Sequence, residues 1–128
     1  MKKDALPSET EWLVMDALWN AGGAPLTSQE IINRLDGGRK LSPKTVRVLI
    51  NRLYAKGMVD YTVDKKDSRV YHYTACVTRE ECQQLKSKQF TESYFSGNSA
   101  GALAALIKSS ALSDAQLKEL KELLEERG

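Results

Sequence analysis

The chain has 128 residues, of which 41% are hydrophobic and 28% charged, with a formal net charge of +2; this is the composition of a globular protein able to bury a core. Its apolar runs are short and broken by charge, none reaching the ~20 residues of a membrane span, and MKKDALPSETEW holds no apolar segment of the kind a secretion signal needs. Direct membrane binding is not expected, and the expected location is cytoplasmic. Two cysteines, Cys76 and Cys82, are too few to staple a domain of this size, so free thiols are expected.

In chain order, Ser8 followed by Glu11 and Thr27 followed by Glu30 read as two capping boxes, each marking a helix start. The first helix carries Trp12, Met15 and Trp19 at helical spacing and should end at Gly22-Gly23. The second carries Ile31, Ile32 and Leu35 and should stop at Gly37-Gly38. Ser42-Pro43 opens a third, because serine caps well and proline at the first helical position loses only an N–H that is unpaired there anyway. In that helix Val46, Leu49, Ile50, Leu53 and Tyr54 form an apolar stripe, while Lys44, Arg47, Val48, Asn51 and Ala55 face the other way, with Thr45 and Arg52 on a flank. Gly57 ends it. The period then drops to two: MVDYTVD and RVYHYTA, residues 58–64 and 69–75, are strand-like and joined by the polar turn KKDS, residues 65–68. From about Thr78 the pattern is helical again to residue 95, breaks at SGNSAG (96–101), and resumes in ALAALIK and in a run capped at Ser113-Asp114.

Charge is unevenly spread. Residues 34–75 hold ten Lys or Arg against four Asp, whereas the segments before and after are slightly acidic. A local basic surface is the footprint of a polyanion. Three helices followed by a hairpin is the order of a winged helix-turn-helix, whose third helix enters the DNA major groove. The expected fold is therefore mainly α with a small β-hairpin wing: a winged helix-turn-helix DNA-binding domain over 1–75 followed by a helical dimerisation domain over 76–128. Val48 and Ala55 make the centre of the third helix flat enough to approach base edges. Arg47 suits guanine, Asn51 adenine, and Lys44, Thr45 and Arg52 phosphate or base, while Lys65, Lys66 and Arg69 in the wing can reach the backbone. Arg52 would equally suit an internal salt bridge, and turn lysines are often charged for solubility alone.

ETEWLVMDALW in the first helix, with SPKTVRVLINRLYAKGMVDY after it, resembles the penicillinase and methicillin-resistance repressors of bacteria and their copper-responsive relatives, over nearly the whole chain. The resemblance implies a homodimer that binds a palindromic double-stranded DNA operator and represses transcription until an inducing signal arrives. It places DNA contacts at Ser42, Lys44, Thr45 and Arg47, with Arg69 in the wing. The tail leucines agree with a dimer, since a lone winged helix binds weakly and a linked second half-site restores affinity. The interface candidates are Leu103, Leu106, Ile107, Leu117, Leu120 and Leu124; the alternative is that they pack within the subunit.

The family's induction devices are altered. In the penicillinase branch a protease activated by a membrane sensor cuts the tail at an Asn-Phe bond, and the aligned position here is Ala105-Leu106. In the copper branch a C-terminal cysteine cluster binds metal, and the corresponding segment here has no cysteine. His72, Cys76 and Cys82 offer three donors where a structural zinc needs four, so neither metal nor cofactor is expected. No phosphate loop, G-x-S-x-G or H-E-x-x-H is present, which speaks against an enzyme. The remaining competitor is a winged-helix protein-interaction module without sequence-specific DNA binding, which a weak salt response would reveal.

Overall fold

The computed structural model describes residues 6–35 and 41–127. Two compact units divide the chain, Met1–Ser87 and Lys88–Gly128. In the first lie α1 (Glu9–Asn20), α2 (Ser28–Arg34), α3 (Pro43–Ala55), β1 (Val59–Val63) and β2 (Tyr71–Ala75); α4 (Arg79–Phe95) begins there and runs into the second, which adds α5 (Ser99–Ser109) and α6 (Asp114–Arg127).

Both capping boxes form. Ser8 Oγ accepts from the Glu11 N–H and Glu11 Oε1 accepts from the Ser8 N–H, at 3.2 and 3.0 Å, and Thr27 and Glu30 repeat the pattern at 3.2 and 2.9 Å. Two otherwise orphaned donors are thus satisfied at the start of each helix. The Glu11 box is also a tertiary tie, because Glu11 is buried and Lys56, just past the end of α3, donates to its carboxylate and, at 3.2 Å, to the Leu6 carbonyl. Gly22 and Gly23 take positive φ after α1. The expected stop at Gly37-Gly38 lies outside the described residues.

At the end of α3, the Met58 N–H donates to the Leu53 carbonyl and the Gly57 N–H to that of Tyr54, while Gly57 sits at φ 78°. This is a Schellman closure, and it turns the chain directly into β1 with Leu53 and Met58 both buried. The core joins Val14, Met15 and Leu18 of α1, Ile31 of α2, Val46, Leu49, Ile50 and Leu53 of α3, and Met58, Val59 and Cys82. Cys82 shows that the first turns of α4 share this core; Arg79 beside it bonds Asp16 and Asn20 of α1 and lies over the Trp19 ring, whose Nε1 donates to the Val77 carbonyl.

Tyr54 is the one residue expected on the buried stripe of α3 that is not there. It is 49% exposed and packs its ring against Tyr61, at a centroid separation of 5.2 Å. Its position at the edge of the apolar arc leaves it between core and solvent, and an amphipathic ring takes that place readily. The strands pair antiparallel with Val59 opposite Ala75 and Val63 opposite Tyr71, so they are shorter than their alternating pattern and the connection spans 64–70, longer than the expected 65–68. Asp64 is the reason. Its Oδ2 accepts from the Lys66 and Asp67 N–H groups, both at 3.0 Å, and its Oδ1 takes His72 Nε2 at 2.9 Å, which makes the tip a side-chain-closed turn. Leu26 adds a single bridge to Tyr73, exchanging bonds of 3.0 and 2.7 Å, a non-local pairing that no local pattern announces.

In the second unit, α5 begins within the expected break, because Asn98 caps it by accepting from the Gly101 N–H. Ser113 and Gln116 close a reciprocal box at the start of α6. No residue of α6 is buried. Among the described residues no helix is long and apolar enough to cross a membrane.

Candidate nucleic-acid interface

The division of α3 into two faces is set by its sequence period. Val46, Leu49, Ile50 and Leu53 are fully buried, which fixes the rotation of the helix and turns Lys44, Arg47, Val48, Asn51, Arg52 and Ala55 outward. Val48 is 41% exposed and has polar or small neighbours on every side, so the face is shallow at its centre and cationic at its edges. At the N-terminal end Ser42 Oγ accepts from the Thr45 N–H at 3.1 Å and lies 2.9 Å from Thr45 Oγ1. The Ser42 hydroxyl caps the helix, and the Thr45 hydroxyl holds it in place. Pro43 has no N–H and the Thr45 and Val46 N–H groups are taken by Ser42, so what this end offers an anion is the positive end of the helix dipole and the one remaining N–H, that of Lys44. Lys44 stands on the first turn beside these groups and Arg47 one turn further on. Arg52 is exposed and makes no internal salt bridge among the described residues; its charge contributes to the field at Glu11.

The wing brings its cations to the same domain in different states. Lys65 and Lys66 are exposed, with ammonium groups unpaired among the described residues, whereas Arg69 forms a fork on Asp67, Nε to Oδ1 at 3.0 Å and an Nη to Oδ2 at 3.1 Å. That fork holds the Asp67 carboxyl below the usual carboxylate range. Asp64 is held low as well, first by the His72 hydrogen bond and then by the two N–H groups it accepts. The side chains of Arg69 and Asp67 are 88% and 38% exposed, so their pairing is a surface interaction of small worth that another anion can displace.

His72, Cys76 and Cys82 do not converge. His72 is engaged by Asp64, Cys76 is exposed and Cys82 lies in the core, and burial pushes both thiols up. No group of three or more His, Cys, Asp or Glu able to hold a metal occurs among the described residues. In the tail, Leu103, Leu106, Ile107, Leu117 and Leu124 are exposed and Leu120 is half-buried, while Ala105 and Leu106 are exposed on the body of α5.

Reasoning from sequence passes over two features of the interface. One is the clamp of Asp67 on Arg69, readable only as a D-x-R spacing that a turn brings together. The other is a run of tyrosine rings from α3 into the wing: Tyr54 on Tyr61 at 5.2 Å, and Tyr61 stacked on Tyr71 at 4.6 Å with 15° between planes. The alternation of YTV and VYHY is its only signal.

Known proteins resemble this chain over most of its length. The family model described as penicillinase repressor matches residues 7–126. The methicillin resistance regulatory protein MecI of Mammaliicoccus sciuri is 31% identical over 120 residues, covering 94% of each chain. The penicillinase repressor of Bacillus licheniformis is 28% identical over 126 residues, covering 98% of this chain and 94% of the relative. Among solved structures, the DNA-binding domain of the repressor BlaI superposes with a TM-score of 0.50 at 28% identity, over 63% of this chain and 93% of that one. Matched by that family model over nearly its whole length and by the two relatives over 94% or more, the chain belongs to the penicillinase repressor family of winged-helix DNA-binding repressors, regulators and not enzymes.

Proposed function

We propose that the protein represses bacterial transcription by binding a palindromic operator as a homodimer, each subunit placing α3 in a major groove, and that an inducing signal releases it. The outward face of α3 carries the reading: Lys44, Arg47 and Asn51 around the shallow Val48 and Ala55, on a helix whose rotation the core fixes. Arg47 offers two parallel donors to a guanine edge, Asn51 a donor and an acceptor to adenine, and Val48 an apolar contact for a thymine methyl. Lys44 and the Ser42–Thr45 pair at the helix N-terminus meet phosphate. Lys65 and Lys66 add counterion release from the wing, and Arg69 joins them when a phosphate replaces Asp67.

The second half-site comes from a second subunit. Leu103, Leu106, Ile107, Leu117 and Leu124 are exposed and Leu120 half-buried in a unit with little buried surface of its own. Burying such side chains stabilises by ~1.5–3 kcal/mol each, which favours association. The helical segment from residue 76 onward thus supplies dimerisation through α5 and α6, its first turns being part of the core of the domain that contacts DNA.

The inducer is left open in this reading: cleavage of the tail at Ala105-Leu106, where the resemblance implies an Asn-Phe bond, would need a protease of different preference, activated by a membrane sensor. Both residues lie inside α5, so cutting there requires local opening of the helix. Mass spectrometry of the protein recovered from induced cells checks this arm, and finding intact chain alone refutes it. For DNA binding the test is fluorescence anisotropy on the DNA upstream of the protein's own gene, at two salt concentrations, against a scrambled duplex. The expected result is tight, salt-steep binding of one dimer to the native duplex; equal weak binding to both would favour a protein-docking module.

A further inference from the structure

The hairpin places Val59, Tyr61 and Val63 of β1 on one side with Tyr71, Tyr73 and Ala75 of β2, because alternate residues share a face and Tyr61 pairs with Tyr73. Near the body of the domain this face is core: Val59 is buried and Tyr73 and Ala75 pack against the core cluster. Beyond the core it continues uncovered, with Val63 48% and Tyr71 39% exposed. Tyr54 joins the row from α3, on which it lies two turns after Arg47 and therefore on the Arg47 edge of the outward face.

The result is an unbroken aromatic ledge from the reading helix to the wing, Tyr54 to Tyr61 to Tyr71, on the two elements that also carry exposed cations. None of the three hydroxyls has a hydrogen-bond partner among the described residues, while their rings are held at 5.2 and 4.6 Å. Stacked rings with idle hydroxyls, on a helix edge shared with Arg47 and on a hairpin whose loop carries the exposed Lys65 and Lys66, fit a surface that is apolar in the sugar and acceptor-rich in the phosphate. We propose that this ledge is a second DNA contact surface, in which Tyr54 and Tyr71 donate their hydroxyls to backbone phosphates, Tyr61 spaces them and Val63 rests on a deoxyribose. It rests on the DNA-binding reading and adds neutral donors to the charged contacts, fixing the angle between wing and reading helix on the duplex.

The test is anisotropy on the upstream duplex with Tyr54→Phe, Tyr71→Phe and the double variant, and with Tyr73→Phe as control. Phenylalanine keeps the rings and so the fold, which circular dichroism verifies. Each hydroxyl removed from a phosphate should weaken binding about five- to tenfold, the double variant more, and Tyr73→Phe not at all. Since no charge is removed, the slope of log affinity against log salt should stay that of the parent, whereas Lys66→Ala should reduce it by about one. If the parent binds the duplex and the double variant binds equally well, the ledge is overturned and the DNA reading stands. A reduced salt slope in the Phe variants also overturns it, because neutral hydroxyl donors release no counterions and their removal leaves that slope alone. If the parent binds no duplex, both readings fall together.

Discussion

Arg47 reaches outward from α3 with no internal partner among the described residues, so its guanidinium is available for two hydrogen bonds to a base. Arg47→Ala is expected to cost about 1–3 kcal/mol in operator binding and to relax discrimination at one base pair, which competition with singly substituted duplexes measures. Glu11 stands at the opposite limit of burial. Burial opposes its ionisation, yet the Lys56 ammonium, the Ser8 N–H and the charge of Arg52 together hold its carboxyl below the usual range. A carboxyl depressed in the folded state adds stability that is present above its unfolded pKa and is lost as pH falls through the folded one. Glu11→Gln should therefore lower stability by about 1–2 kcal/mol at neutral pH and approach the parent's stability as pH falls below the ordinary carboxylate range. Thermal melts across that range check it, and a constant difference at every pH would mean that altered packing, not charge, is responsible.

At the scale of elements, the junction of α3 with the wing depends on Gly57. A Cβ there would meet no atom within 4 Å, so the cost of Gly57→Ala is that of the backbone at φ 78° alone. About 1–2 kcal/mol is expected, enough to lower Tm by several degrees in a domain of this size. The wing tip is organised by Asp64, and Asp64→Ala should lower the melting temperature modestly and weaken DNA binding, because the loop that presents Lys65 and Lys66 loses three hydrogen bonds. Amide exchange of the 64–70 segment alongside anisotropy separates the two effects. Arg69→Ala should reduce the salt slope less than Lys66→Ala, since Arg69 already shares its charge with Asp67.

For the whole molecule, the proposed dimer predicts that charge on the tail acts on DNA binding from a distance. Leu117→Lys with Leu124→Lys places two ammonium groups on the exposed side of α6, where they cost the lone subunit little. The expected outcome is a monomer by sedimentation, with operator affinity falling by a factor of ~100 or more as the second half-site is lost. A variant that stays dimeric would move the interface to another face of the tail.

Local signals carry most of the architecture. Ser8 with Glu11, Thr27 with Glu30, Ser42-Pro43 and Gly57 each act within four residues, so the starts of three helices and the end of α3 are legible, as is the outward set on α3, whose period matches its buried stripe. The hairpin is legible from alternation, but its loop extends two residues further at one end and one at the other, because Asp64 closes it with side-chain bonds that alternation does not encode. Tyr54 cannot be placed by period alone. Its position at the margin of the apolar arc makes its burial depend on whether Tyr61 stands beside it. The Lys56–Glu11 tie, the Leu26–Tyr73 bridge and the tyrosine ledge join residues far apart in sequence or on different elements, and only the packing of α1, α3 and the hairpin brings them together. By itself the sequence determined the elements, their caps and which face of α3 is basic, since those follow from spacing along one chain. The tertiary structure decided which charges stand free and which are already paired, since that depends on neighbours brought in by folding.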